Sequence, residues 1–424
     1  MSTDGVNEDA NITLHCARSG LPPLVRVSND YQSTCKTGPT SPIAAESCYN
    51  KKMVTHPQDS KIAKRWKVAL PLRSVPRNYA LAWGFCTTFI PNTDGNIIAD
   101  RMQSYLRLQS IHAIFNEQHA NAFCKSMDRV TFGICLFSGR GDYAHGVIVE
   151  MRRYSGDSLA FFRYRCAIMR IVQAKVLSIE EVLVKANGEK VNALPLPAID
   201  VDDEEEDKYL CKLALEDVLC LLKEDKHGPL LLAMQSLCNL TDAAKSGSFI
   251  AQDASIRLLS DSEGDERLLN AECTGGVIME YLKKCLETDR QSTLVQNDEI
   301  IEQNHIEDVR HLALHVLKNV MSNLRCEHVL LKDKFVCSLT PVLIEEVRHA
   351  SDRPHNAYFA MSCLNSMLKY SSGASNMNIK STNLKLLLMK AFSVGKSSHA
   401  CLEEATARVL RRLKYFPKET PIFR

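Results

Sequence analysis

Catalytic signatures are missing from this sequence of 424 residues. There is no glycine-rich nucleotide loop, no H-R-D or D-F-G set and no serine nucleophile elbow, and Gly139-Arg-Gly141 lacks the strand-to-helix setting of a phosphate loop. The chain has 16 cysteines, yet none form a C-x-x-C pair. The close neighbours His15-Cys16 and Cys326-Glu-His328 have no second ligand pair at zinc spacing. His311 and His315 share a helix face without the intervening carboxylate of a metalloprotease, so they read as a pair beside a helix groove. No apolar run approaches the ~20 residues that span a bilayer. The first residues carry Asp4, Glu8 and Asp9 where a secretory signal would be basic and then apolar. These absences lead to the expectation of a non-enzymatic protein with no metal, cofactor or disulfide framework. Its cysteines are expected to be reduced and its location cytoplasmic or nuclear, with attachment to a membrane surface at most.

Charge of one sign is also scarce in the whole chain, where 52 Lys plus Arg face 50 Asp plus Glu. Its distribution is uneven. Residues 61–175 hold 17 basic against 7 acidic side chains, and residues 176–207 hold 2 against 10. At roughly 150 residues per domain the length implies two or three units. Composition divides the chain into a Ser-, Asn- and Pro-rich tail expected to be disordered over 1–60, a basic domain over 61–197, an acidic linker over 198–207 and a helical region over 208–424.

Within the basic domain an extended segment ends near Ile90, and Asp94 or Asn96 offers a cap to a helix with Ile98, Met102, Tyr105 and Leu106 on one face. Ile111–Glu117 and Ala120–Met127 read as strands. Val130, Phe132, Ile134 and Leu136 then alternate with small and polar residues in a third strand. After the turn at Ser138–Asp142, Val147, Val149 and Met151 form the core row of the next strand. Ser155, Asp157 or Ser158 caps a final helix. Its stripe of Leu159, Phe162, Cys166, Met169 and Gln173, with Phe161, Ile168 and Val172 beside it, predicts broad packing on the sheet. The result is an α+β domain, an antiparallel sheet with its helices on one face. Glu181–Lys185 followed by Asn187-Gly188 suggests one further extended segment.

Arg152-Arg-Tyr-Ser-Gly-Asp-Ser158, followed by Leu159, Phe161 and a basic helix, resembles the closing signature of the kinase-associated-1 domain. Trp83-Gly-Phe85, the Pro91 turn and the helix over Ile97–Leu108 are similar to the start of the related C-terminal domain of the AMP-activated kinase catalytic subunit. The resemblance covers residues 79–175 and departs from the family in having no kinase domain and in lying mid-chain. It implies binding of acidic phospholipid or restraint of a kinase domain. Only Arg152 and Arg153 map onto the family motif. Charge alone adds Arg140, Arg163, Lys64 and Arg65 to the candidate anionic-ligand set.

Helical spacing recurs over Tyr209–Lys223, Gly228–Ala243, Gly276–Leu286, Glu307–Leu324, Thr340–His349, His355–Lys369, Leu384–Phe392 and Ala400–Lys414. Leu230–Leu240, Val309–Val320, Ala357–Met367 and Glu404–Leu413 resemble one another. With Tyr281-Leu-Lys-Lys284 filling the first gap, they give a period of roughly 40–47 residues, the range of armadillo- and HEAT-like repeats. An all-α armadillo-like solenoid is the expectation, with a plain helical bundle as the alternative. The functional expectation is an adaptor whose basic domain meets anionic phospholipid or acidic protein while its repeats hold a protein partner. A non-catalytic component of a Ser/Thr kinase complex is the alternative. Nucleic-acid binding is less favoured, because no aromatic-stacking RNA motif is visible.

Overall fold

The computed structural model describes residues 65–75, 86–173, 204–224, 226–260, 274–287, 297–324, 333–370 and 382–415. The tail 1–60, Lys64, the segment at Glu181–Lys185 and most of the acidic run lie outside these residues.

The first part is an antiparallel sheet of five strands in the order β1-β5-β4-β3-β2. The strands are β1 (Thr87–Pro91), β2 (His112–Asn116), β3 (Asn121–Lys125), β4 (Thr131–Ser138) and β5 (Gly146–Ser155), with helices α1 (Gly95–Leu108) and α2 (Ser158–Gln173). Alternation decides which face is buried. Val147, Val149 and Met151 of β5 join Phe132, Ile134 and Leu136 of β4 in one core with Ile98, Met102 and Leu106 of α1 and Phe161 and Ile168 of α2. The expected core row and the α1 stripe are therefore both present. The opposite face holds a small cluster of Ile148, Phe137 and Val75. Residues ahead of the sheet close the edge of α1: Trp66 is 1% exposed, stacks on Phe115 at 4.8 Å and donates its backbone N–H to Gln103 Oε1 at 2.7 Å.

Both helices have the caps that their sequences offer. Asp94 Oδ1 accepts from Asn96 N at 2.6 Å and Asp157 Oδ1 from Ala160 N at 2.6 Å. Asp157→Ala is expected to cost about 1 kcal/mol by removing an acceptor for an orphan N–H. A denaturant midpoint unmoved by the substitution would contradict this. Between cap and strand, Gly156 at φ 90° brings the chain so close to Val130 that a Cβ would lie 2.7 Å from Val130 Cα. A side chain is excluded there on two counts.

The buried stripe of α2 differs from expectation. Phe161, Ile168, Ile171 and Val172 face the core, whereas Leu159 and Phe162 are 57% and 51% exposed. Two apolar stripes lie side by side on this helix, and the sheet covers only one of them.

The second part is helical: α3 (Glu204–Lys223), α4 (His227–Leu240), α5 (Ala243–Ser246), α6 (Ser248–Ser260), α7 (Thr274–Glu287), α8 (Asn297–Asn323), α9 (Asp333–Arg348), α10 (Pro354–Tyr370), α11 (Thr382–Ser398) and α12 (Ala400–Arg412). None of the helices among the described residues is long and apolar enough to cross a membrane. α4, α8, α10 and α12 pack successively on one another, and α3, α7, α9 and α11 stand against them as a second row. The self-similar segments Leu230–Leu240, Val309–Val320, Ala357–Met367 and Glu404–Leu413 all lie in the first row. Tyr281–Lys284 lies in α7, in the second row, so the first gap is filled differently from the expected repeat. α6 was not expected at all. The acidic run enters α3 from Glu204, where negative charge meets the N-terminal end of the helix dipole.

Candidate anionic-ligand surface and the histidine contact

The basic residues selected from sequence do not form one patch among the described residues. Ser138 pairs with Val147 at one end of the β4–β5 ladder and Phe132 with Arg153 at the other, so Arg140, just past Ser138, is roughly 20 Å from Arg153 at ~3.3 Å per residue. Strand alternation also turns Arg152 and Arg153 to opposite faces. Arg152 Nε donates to Glu150 Oε1 at 2.8 Å, and Arg153 Nη1 donates to the Gly156 carbonyl at 2.7 Å within its own turn. Arg65 meets Asp100 of α1 at 3.3 Å.

Arg163 is differently placed. It is exposed on the outward face of α2, where helical spacing sets it one turn from Leu159, next to Phe162 and about two turns from Arg170. The Arg165 guanidinium lies 4.8 Å from the centre of the Phe162 ring. Aromatic and aliphatic side chains thus protrude among arginines, a combination that meets an apolar layer bordered by negative charge.

A second constellation joins the two parts, which share the compact unit Ser60–Arg424. Arg107 at the end of α1 donates to the Lys396 carbonyl at 2.6 Å and bonds the Glu403 carboxylate. Arg129 reaches Asp308 at 2.9 Å and Lys125 reaches it at 3.5 Å. Between these ion pairs is a group of buried histidines. His311 Nε2 lies 3.1 Å from the Met127 carbonyl, with Nδ1 3.0 Å from the Asn356 side chain. His355 Nε2 lies 2.9 Å from the Lys125 carbonyl, its Nδ1 lies 2.9 Å from His399 Nε2, and His399 Nδ1 accepts from Leu402 N at 3.1 Å. His112 stands edge-on to His355, ring centres 6.3 Å apart.

The ends of this chain fix its protons. The Leu402 N–H can only donate and the Lys125 carbonyl can only accept. His399 therefore carries its proton on Nε2 and donates to His355 Nδ1, and His355 donates from Nε2 to Lys125. Both rings are neutral and every ring nitrogen is used. Burial pushes His399 down to about 3 and His112 to about 4, and holds His355 well below the ordinary value; Lys125 adds to the effect on His112, and the neighbouring histidines oppose a charge on His399 and His355. His311 is lowered too, by burial first. Its two ring nitrogens face two oxygens, the Met127 carbonyl and Asn356 Oδ1, and a neutral ring donates to one of them.

No group of histidines, cysteines and carboxylates among the described residues is arranged to hold a metal ion. His311 and His315, the pair visible in sequence, instead contact Phe359, with the His315 ring stacked on it at 4.7 Å. Sequence reading missed His112, His355 and His399 because their partners are distant in the chain. The available signal was positional, since His355 follows Pro354 at the start of α10 and His399 precedes α12 as its N-cap. Comparisons with protein-family models, curated proteins and solved structures find no match to this chain.

Proposed function

We propose that this protein is a non-enzymatic adaptor whose α+β part docks on anionic phospholipid through the outward face of α2, while its helical rows hold a protein partner. The observation that carries the reading is the exposure of Leu159 and Phe162 at 57% and 51% beside Arg163 on the same helix face. An isolated exposed leucine needs no explanation. Two large apolar side chains among arginines suit a surface that takes both, with each arginine near the lipid contributing ~1 kcal/mol.

The element order strand, helix, four strands, helix supports membership of the kinase-associated-1 family. The two rows of helices, with similar sequences along one of them, support an armadillo-like solenoid as the partner-binding part.

The test is co-sedimentation of the full chain with phosphatidylcholine vesicles with or without phosphatidylserine. Binding is expected only with the anionic lipid and is expected to weaken with salt. Phe162→Ala with Arg163→Ala should reduce affinity about tenfold or more, from one lost charge contact and one lost apolar insertion. Arg140→Ala, at the end of the ladder away from α2, should have little effect. Equal binding to neutral vesicles, or full binding by the α2 variant, would remove the reading.

A further inference from the structure

We infer that the histidine contact is an acid-released latch, in which proton uptake by His355 and His399 frees the α+β part from the helical region. The basis is the hydrogen-bond directions across the contact. In the chain from Leu402 N–H through His399 and His355 to the Lys125 carbonyl, every ring nitrogen is committed. A proton added to His355 would sit on Nδ1 and point at the Nε2–H of His399. A proton added to His399 would sit on Nδ1 and point at the Leu402 N–H. In both cases a donor faces a donor inside a buried site, and one bond of the chain must break. The bond from His355 to Lys125 is itself one that joins the two parts, so disturbance of either ring reaches the interface directly.

The neighbouring charges provide no relief. Lys125 at the end of β3 bears on His112 and His311, and Arg129 bears on His311. His355 faces His112, His311 and His399. Of the carboxylates at this contact, Asp308 on α8 is shared by Lys125 and Arg129, and Asp352 ahead of α10 acts on His112. A new positive charge on His355 therefore meets cations or other histidines. The pairing of Arg107 with Glu403 joins the same two parts without a histidine.

Once the parts separate, His355 and His399 return to water and titrate near the ordinary ~6.5. The separated form then gains about tenfold per ring at pH ~5.5, about 100-fold for these two, and His112 and His311 of the same contact add to it in the same direction. Hydrogen exchange of the full chain, read by mass spectrometry at pH ~7.5 and ~5.5 and corrected for intrinsic rates, measures this opening. Peptides spanning 107–129 and 397–403 are expected to open at least about 100-fold more at the lower pH, ahead of interior peptides in β4 and α6. Equal interface protection at the two pH values, or loss of protection by interface and interior together, would overturn the inference. The variant His355→Gln with His399→Asn keeps a donor to the Lys125 carbonyl and an N-cap acceptor for Leu402, but takes up no proton. Its acid response is expected to shrink by about 100-fold. A response equal to that of the unmodified chain would also overturn the inference, and the unmodified chain alone decides the matter if the double variant does not fold.

Discussion

Glu346→Leu is expected to lower the free energy of unfolding by about 3–5 kcal/mol, among the largest effects of any single substitution in this chain. Arg310 Nη1 on α8 meets Glu346 Oε1 on α9 at 2.7 Å, and the two side chains are 5% and 1% exposed. Taking away the carboxylate removes a countercharge held 2.7 Å from a buried guanidinium. The paired change Arg310→Met with Glu346→Leu removes both charges and fills similar volume, so it is expected to restore most of the loss and to come within about 1 kcal/mol of the parent. Urea unfolding of the two single variants and the double variant closes the cycle. A single variant costing under ~1 kcal/mol would show that water reaches the pair. The alternative outcome, a double variant as unstable as either single one, would mean that this pair fixes how α8 and α9 seat together and cannot be replaced by packing alone.

The same physics explains which parts of the fold were legible in the sequence. Ile98, Met102, Tyr105 and Leu106 recur at helical spacing because one helix face meets one core, and all four are buried. Val147, Val149 and Met151 alternate because they turn to the main core while Ile148 joins the small cluster on the opposite face, and the strand lies where the alternation placed it. Local periodicity carries this information without reference to distant residues. It was ambiguous on α2, where two stripes were equally apolar. The residues facing the sheet are Phe161, Ile168, Ile171 and Val172, and only the packing partner selects them. α6 escaped notice for a related reason: its closest-packed positions include Ala251, Ala254 and Ser255, small residues that carry little hydrophobic signal.

Charge was the least transferable signal. Counting residues located a basic segment correctly but carried no direction, so it grouped Arg140, Arg152 and Arg153, which the strands direct to different ends and faces. Two of the arginines selected from charge and motif are occupied locally, Arg152 by Glu150 and Arg153 by the Gly156 carbonyl. Arg163 stands out only because α2 turns Leu159 and Phe162 to the same side. The histidine contact could not be read from sequence, since His355 meets the Lys125 carbonyl across 230 residues of chain. Nothing in a single helix pattern distinguishes a histidine that caps a helix from one that also bonds a neighbouring part.

Acidification from pH ~7.5 to ~5.5 is expected to remove about 4 kcal/mol of global stability through three rings alone. Burial lowers His112 and His315 to about 4 and His399 to about 3. In the unfolded chain each would titrate near ~6.5. Between the two values the unfolded chain binds more protons than the native one, so stability falls as pH drops below ~6.5 and goes on falling until the native rings titrate in turn. At pH ~5.5 an unfolded histidine is about nine-tenths protonated while its buried counterpart is not, a difference of about 1.4 kcal/mol per ring. His311 and His355, lowered by burial as well, add to the loss in the same direction. His315 separates this global effect from the interface. It stacks on Phe359 at 4.7 Å and 8° and takes no part in the bonds to Lys125 or Met127. His315→Phe keeps an aromatic ring on that stack and removes the titration, so it should flatten the difference in urea stability between the two pH values by about 1.4 kcal/mol. Its interface amides should keep the acid response of the parent. An unchanged pH slope in His315→Phe would mean that this ring takes up protons alike in the native and unfolded chains, and the burial argument would then fail at the position where it is simplest.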